Sequence, residues 1–171
     1  MSGARTNNLL WWVIPDELAG MPMPFIHPDR RMRHGGELMA YDDDLSVLYA
    51  AGVRAIVSLL NIPSDKPVYE AAGFAFLCLP VPDGCAPTIE QVGEFVRFVM
   101  QQRKVKRAVA VHCEAGLGRT GTLLATYFIA TGESAKAAIC RIRSVEKVAV
   151  ETSRQIDFLE RYAEQIRNHA L

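Results

Sequence analysis

The sequence has no net charge, no long hydrophobic run and no cysteine pattern typical of a metal site. Its 19 lysines and arginines balance 19 aspartates and glutamates, so the whole chain has no electrostatic attraction for nucleic acid or an anionic membrane. The apolar run at 9–14 is too short to cross a bilayer or to form a signal-peptide core. No internal repeat or low-complexity segment is present. We therefore expect a soluble, cytoplasmic protein without nucleic-acid or membrane partners.

The four cysteines, at positions 78, 85, 113 and 140, are unsuited to a zinc site or a disulfide framework. They include no Cys-x2-Cys pair, and no histidine stands at zinc-ligand spacing from them. Thiols stay reduced in the cytoplasm, so we expect free cysteines. We also expect no cofactor. Cys78 and Cys140 fall on core-like faces and are predicted to be inert.

Hydrophobic periodicity predicts alternating strands and helices in a single domain spanning 1–171, a length typical of one domain. Aliphatic and β-branched runs predict strands at 9–14, 18–20, 53–60, 74–79 and 107–112. Helical spacing, caps and terminal glycines predict helices at 42–52, 64–72, 88–103, 120–131, 134–144 and 152–168. The stretch 21–40 has loop composition, and its basic cluster at 30–34 is either solvated surface or part of a substrate rim. This order is typical of an α/β fold with a mainly parallel sheet.

The string His-Cys-Glu-Ala-Gly-Leu-Gly-Arg-Thr-Gly at 112–121 lies between a buried strand and a helix. In parallel α/β sheets, ligands bind at the carboxyl ends of strands, where helix N-termini present their amides. Gly116 and Gly118 would let the backbone curl until its N–H groups face inward and form a concave anion site. A phosphate group would complete this site. The residues predicted to bind it are Glu114, Ala115, Gly116, Leu117, Gly118 and Arg119.

Four side chains of this string have predicted roles in phosphate chemistry. Arg119 offers a planar fork of donors for two phosphate oxygens. Cys113 would lie at the bottom of the anion site, where amides and the arginine stabilise a nucleophilic thiolate. Thr120 can donate its hydroxyl to the sulfur, and His112 is expected to hold the loop through hydrogen bonds. A Cys-x5-Arg match alone arises readily by chance, but the complete string between strand and helix is far more specific.

The string resembles the signature of the protein tyrosine phosphatase superfamily, and the wider chain resembles its small atypical dual-specificity phosphatases. The similarity also covers Trp12-Val13-Ile14-Pro15 with Leu18-Ala19-Gly20, the segment 53–59, Pro82-Asp83, and Glu151-Thr152 with Gln155. The resemblance implies a four- to five-stranded sheet flanked by helices, no metal and a phosphocysteine intermediate. It implies an enzyme that hydrolyses phosphotyrosine, and also phosphoserine and phosphothreonine if the pocket is shallow. The expected partner is a phosphorylated protein or peptide, and the chain is expected to be a monomer.

Asp83 is the predicted general acid, because the leaving oxygen of a phosphate ester needs a proton. It follows Pro82 on a loop after a predicted strand, and the resemblance places the family's acid at a matching Pro-Asp position. The alternative is that Asp83 only caps a turn. For the second step, Gln155 matches a family glutamine that orients the attacking water, and Glu151 is near enough to assist. Family members often carry Arg-Pro before this segment, where this chain has Val145-Glu146.

Other function classes stay open at this point. A phosphate-binding module without turnover would normally lack the cysteine, the arginine or the acid, and this chain has all three. An arsenate reductase or sulfurtransferase would need resolving cysteines or another strand order. Glu114 and Leu117 disfavour inositol lipids, whose phosphatases favour lysines here, and the lack of aromatic–basic interleaving disfavours RNA. Cys85 is a candidate for a reversible disulfide with Cys113.

Overall fold

The structure, a computed structural model, describes residues 9–24 and 43–169. The strands in this part are β1 (Trp11–Ile14), β2 (Leu18–Met21), β3 (Val53–Ser58), β4 (Ala75–Cys78) and β5 (Ala108–His112). The helices are α1 (Asp43–Ala50), α2 (Asp65–Ala71), α3 (Ile89–Lys104), α4 (Gly118–Ala130), α5 (Ala135–Val145) and α6 (Ser153–His169). The predicted basic cluster at 30–34 lies outside the described residues.

The five strands form one sheet in the order β1-β2-β5-β3-β4. β2, β5, β3 and β4 run parallel to one another, and β1 pairs antiparallel with β2 at the edge of the sheet. The predicted α/β fold with a mainly parallel, helix-flanked sheet is therefore confirmed. β5 is the central strand, and all its residues are buried. The segment that follows His112 consequently emerges in the middle of the sheet's carboxyl edge.

The alternating side chains of the central strands build two hydrophobic layers, one on each face of the sheet. Val109 and Val111 of β5 pack in the layer formed with α3, α4, α5 and α6. Ala108 and Ala110 face the opposite layer, which includes residues of α1 and α2. Burial on both faces explains why β5 reads as a continuous apolar run. The core thus holds β5, and with it the segment after His112, from both sides.

Helix α4 begins at Gly118, earlier than the predicted start near 120. The Gly121 N–H donates to the Leu117 carbonyl oxygen at 2.8 Å, which opens the helix just after Leu117. Every residue from Gly118 to Ile129 is buried. Arg119 therefore belongs to the first turn of a core helix and not to a surface loop.

Cys78 and Cys140 are both exposed, so the prediction that they occupy core-like faces is wrong. Cys78 ends β4, an edge strand, and Cys140 lies on the solvent side of α5 while Ile139 and Ile142 face the core. Periodicity places a residue on a helix or strand but does not say how far the opposing layer extends. Within the described part of the chain, no helix is both long and apolar enough to cross a membrane.

Candidate active site

The turn directly after β5, residues 113–117, is called here the Cys113 loop. Cys113 is 3% exposed, and the Gly116 N–H lies 3.3 Å from its Sγ atom as a donor. Gly116 has φ +76°, in the left-handed region that favours glycine. A Cβ atom at this position would lie only 2.2 Å from the Met21 carbonyl oxygen. Glycine at 116 therefore allows the loop to direct this amide at the sulfur.

The end of β2 supports the Cys113 loop from the neighbouring strand. The Met23 N–H donates to the Glu114 carbonyl oxygen at 2.9 Å, and Met21 contacts Gly116 as described. The Leu59 N–H, which follows β3 on the other side, donates to the His112 carbonyl oxygen at 2.9 Å. The sequence contains no local signal for these contacts. They result from the parallel alignment of β2, β5 and β3, whose ends lie side by side.

Gly118 lies in the first turn of α4, directly after the Cys113 loop, and its backbone angle is not in the left-handed region. A Cβ atom on it would lie 2.2 Å from Glu151 Oε2 and 3.2 Å from Gln155 Nε2, so these side-chain ends would have to shift to admit one. Glu151, which precedes α6, and Gln155, in its first turn, therefore lie against Gly118.

Arg119 and Asp83 are in contact. Arg119 is 8% exposed, and its Nη1 donates to the Val81 carbonyl oxygen at 3.0 Å. Its Nη2 lies 3.1 Å from Asp83 Oδ1, while the Asp83 side chain is 92% exposed. The guanidinium is thus held on one side by the Val81 carbonyl oxygen, and its Nη2 group faces the exposed Asp83 carboxylate. A phosphate bound at this edge would compete with Asp83 for Nη2 and place its ester oxygen near that carboxyl group.

His112, which precedes Cys113, and Thr120, in the first turn of α4, are both fully buried. His112 Nδ1 lies 3.1 Å from the Cys113 carbonyl oxygen, and its Nε2 lies 3.4 Å from the Tyr69 hydroxyl. A neutral ring with its proton on Nδ1 would satisfy both contacts. The Thr120 hydroxyl has no hydrogen-bond partner among the described residues, so the expected bond to Cys113 Sγ is not formed here. That hydroxyl is a buried donor in need of an acceptor.

The loop that carries Asp83 is hydrogen-bonded to the start of α6. The Thr152 hydroxyl donates to the Gly84 carbonyl oxygen at 3.0 Å, and Gln155 Nε2 donates to the Cys85 carbonyl oxygen at 3.2 Å. Arg154 Nη1 adds a contact of 3.2 Å to Cys85 Sγ. These tethers restrict the position of the predicted acid relative to the Cys113 loop. The thiols of Cys85 and Cys113 are both free in this structure.

Thr152 and Gln155 form a capping box at the N-terminus of α6. Thr152 Oγ1 accepts from the Gln155 N–H at 3.2 Å, and Gln155 Oε1 accepts from the Thr152 N–H at 3.1 Å. Gln155 Oε1 also accepts from the Glu151 N–H at 2.9 Å. The Thr-x-x-Gln spacing at 152–155 could have predicted this cap from the sequence. The side-chain oxygen of Gln155 already accepts two N–H groups, and one Nε2 hydrogen is donated to Cys85. The second Nε2 hydrogen is left to donate to a water molecule or a phosphate oxygen.

Within residues 9–24 and 43–169, no cluster of three or more histidine, cysteine, aspartate or glutamate side chains could hold a metal ion. The polar groups gathered at the carboxyl edge of the sheet are instead a buried thiol, the Gly116 amide directed at it, a hydrogen-bonded guanidinium and an exposed carboxyl group. This combination suits the binding of a phosphate ester and nucleophilic attack on it.

The family model described as "Polymorphic toxin system, DSP-PTPase phosphatase" matches residues 31–133. This range spans Asp83, the Cys113 loop and Arg119. The chain belongs to the small atypical dual-specificity phosphatases of the protein tyrosine phosphatase superfamily. The resemblance found in the sequence is thereby confirmed. The match ends at residue 133, so Glu151 and Gln155 lie outside it.

Two curated relatives have sequences similar to this chain. "Dual specificity protein phosphatase CDC14A" of Homo sapiens is 34% identical over 121 residues, which cover 68% of this chain and 19% of the relative. "Tyrosine-protein phosphatase cdc-14" of Caenorhabditis elegans is 34% identical over 118 residues, which cover 69% of this chain and 16% of the relative. The chain thus corresponds to less than a fifth of each of these proteins.

Two solved structures share the fold over nearly the whole chain. Tk-PTP in the active form superposes with a TM-score of 0.72 and 26% identity, covering 91% of this chain and 97% of that structure. Kinase associated phosphatase (KAP) superposes with a TM-score of 0.75 and 18% identity, covering 94% of this chain and 96% of that structure. At that identity, the second match bears on the fold alone.

Proposed function

We propose that this chain is a cysteine-dependent protein phosphatase that hydrolyses phosphotyrosine through a phosphocysteine intermediate. One observation supports this most directly: the buried Cys113 thiol accepts the Gly116 amide, and Arg119 ends beside Asp83 at the rim. A nucleophile, an anion clamp and a proton donor are the three groups that phosphate ester cleavage by a cysteine requires.

In the first step, the phosphate dianion binds the backbone amides of 114–118 and the Arg119 guanidinium, displacing Asp83 from Nη2. The Cys113 thiolate attacks phosphorus, and a new P–S bond forms as the P–O bond to the substrate breaks. Asp83 in its protonated form gives its proton to the leaving phenolate oxygen. The products of this step are a free hydroxyl group on the substrate and phosphocysteine. The amides and Arg119 stabilise the transferring phosphoryl group throughout.

In the second step, water attacks the phosphorus of phosphocysteine and transfers a proton to the Asp83 carboxylate. The P–S bond breaks, and inorganic phosphate and the Cys113 thiolate are released. The buried Thr120 hydroxyl has no hydrogen-bond partner among the described residues. It is the group proposed to donate to the sulfur as negative charge develops there. Gln155 Nε2 and Glu151, both against Gly118, are the side chains proposed to orient the water.

The proposed substrate is a phosphorylated protein or peptide, with phosphotyrosine preferred. A shallow pocket would also admit phosphoserine and phosphothreonine. Glu114 is exposed, and neither it nor Leu117 offers a cation for additional phosphates, which disfavours inositol lipids. We further propose that 1–171 acts as a single catalytic domain, in the cytoplasm and as a monomer.

The function is tested with p-nitrophenyl phosphate between pH 5 and 7 in the presence of EDTA. Wild type and Cys113→Ser are compared, with Cys140→Ser as a matched control because Cys140 is exposed on α5 and away from the site. Metal-independent turnover that is lost only in Cys113→Ser supports the proposal. No turnover by freshly reduced wild type contradicts it and favours a phosphate-binding module. Phosphotyrosine and phosphoserine peptides then establish the preferred substrate.

A further inference from the structure

The connection between α5 and α6 contains a buried residue in a strained backbone conformation. Val150 has φ +60° and is fully buried. This angle is rare for any residue other than glycine and especially unfavourable for a β-branched one. Asp16 and Lys106 also have positive φ, but they lie in exposed turns. Strain of this kind persists only where surrounding contacts enforce it, and it concentrates at functional sites.

Arg143, in the last turn of α5, supplies contacts that enforce the turn. Its Nε donates to the Ala149 carbonyl oxygen at 3.0 Å, and its Nη2 donates to the Val150 carbonyl oxygen at 2.8 Å. Two adjacent carbonyl groups are thus held by one rigid fork, a geometry that the single ammonium group of lysine does not reproduce. The segment 145–150 contains neither glycine nor proline that would favour such a turn by itself.

The turn that contains Val150 packs against the start of α4, directly after the Cys113 loop. Gly121 in α4 leaves room for it, because a Cβ atom there would lie 2.8 Å from Ala149 Cβ and 3.1 Å from the Val150 nitrogen. The next residue, Glu151, places its carboxylate against Gly118, and its N–H is held by Gln155 Oε1. A different backbone angle at Val150 would redirect Glu151 and the start of α6 together.

We propose that Arg143 is a positioning residue for the second chemical step, the hydrolysis of phosphocysteine. It holds Val150 in the left-handed conformation and so keeps Glu151 and Gln155 facing the phosphorylated Cys113 loop, where water must attack. This inference rests on the proposed phosphatase function. The start of α6 also tethers the Asp83 loop through Thr152 and Gln155. Because p-nitrophenolate is a good leaving group that needs little help from an acid, the first step with p-nitrophenyl phosphate should be largely independent of Arg143.

Pre-steady-state kinetics with p-nitrophenyl phosphate separate the two steps. The first burst of p-nitrophenolate reports phosphocysteine formation, and the steady rate per active enzyme, titrated by the burst, reports its breakdown. We expect Arg143→Lys to slow breakdown about tenfold or more while formation changes less than about twofold, since misplacement of a positioning group costs up to about 100-fold. The matched control is Arg141→Lys. Arg141 lies on the same helix and donates to Glu133 at the surface, so both rates should stay at wild-type values.

A second variant separates positioning from general loss of structure. Glycine adopts positive φ without strain, so in a Val150→Gly background the turn should depend less on the arginine fork. Adding Arg143→Lys to Val150→Gly should therefore slow breakdown by only about twofold, compared with tenfold in the parent. Equal slowing in both backgrounds, or equal slowing of formation and breakdown in Arg143→Lys, overturns the inference. If the wild type releases no p-nitrophenolate, the phosphatase function and this inference are both overturned. If wild-type turnover is normal and Arg143→Lys breaks down phosphocysteine at the wild-type rate, the inference alone is overturned.

Discussion

Gly116→Ala introduces a methyl group at a position where the structure has no room for one. The new Cβ would lie 2.2 Å from the Met21 carbonyl oxygen, which is backbone and cannot rotate away. The left-handed angle costs an L-residue about 1–2 kcal/mol, and overpacking of a filled site costs about 1–3 kcal/mol. We therefore expect the free energy of unfolding to fall by about 2–5 kcal/mol if the native loop is kept.

Gly73→Ala is the matched control for the backbone contribution. Gly73 has φ +86°, similar to Gly116, but a Cβ atom on it would have no other atom within 4 Å. Urea denaturation of both variants should show a loss of about 1–2 kcal/mol for Gly73→Ala. The additional loss in Gly116→Ala then measures the steric conflict with β2.

Activity and stability are expected to respond differently in the two variants. If the Cys113 loop relieves the conflict by moving, Gly116→Ala retains more stability but loses the bond from the amide of residue 116 to Cys113 Sγ. Hydrolysis of p-nitrophenyl phosphate should then fall about 100-fold or more. Gly73→Ala should keep wild-type turnover, because Gly73 lies between α2 and β4. Equal stability loss in both variants together with normal turnover of Gly116→Ala would refute the assignment of Gly116 to the anion site.

Two further predictions concern a rim carboxyl group and an exposed thiol. Asp83→Asn should lower kcat for phosphotyrosine by about 10²–10⁴-fold. It should have a much smaller effect on an ester whose leaving group needs no proton. Parallel steady-state assays compare the two esters, and an equal loss on both would show that Asp83 is not the acid. Cys78 is exposed overall, but partial burial of its side chain, and secondarily the Asp65 carboxylate, raise the pKa of its thiol. Cys78 therefore stays protonated in the folded protein at pH values where an unfolded thiol is ionised. Iodoacetamide should accordingly label Cys78 more slowly in the native state than in urea at about pH 8.5, the ordinary pKa of a free thiol, as quantified by mass spectrometry, and equal rates would contradict the raised pKa.

The strands, the helices and the Cys113 loop could be predicted because each depends on residues that are close in sequence. β5 reads as a buried strand from its apolar run, and α3, predicted over 88–103, begins with a capping box formed by Thr88 and Gln91. The string at 112–121 carries its own glycines, nucleophile and arginine in one turn. The family assignment followed from the same string and was confirmed by the match over 31–133.

The exposure of Cys78 and Cys140 and the packing of Glu151 against Gly118 could not be predicted in this way. Burial depends on what the opposite layer covers, and β4 is an edge strand. The Glu151 carboxylate lies against Gly118 only because α6 packs on α4. Local patterns carry no information on such long-range approaches.

The α/β class, the family and the predicted nucleophile and phosphate clamp follow from the amino-acid sequence, because hydrophobic period and a contiguous motif are local properties. The distant groups that meet at that motif are set by the packing of the folded chain. Asp83 reaches Arg119, Met21 closes over Gly116, and Arg143 holds the strained Val150 that directs Glu151. These contacts exist because parallel strands end at one edge and α4 and α6 pack closely, and packing geometry is a property of the whole fold.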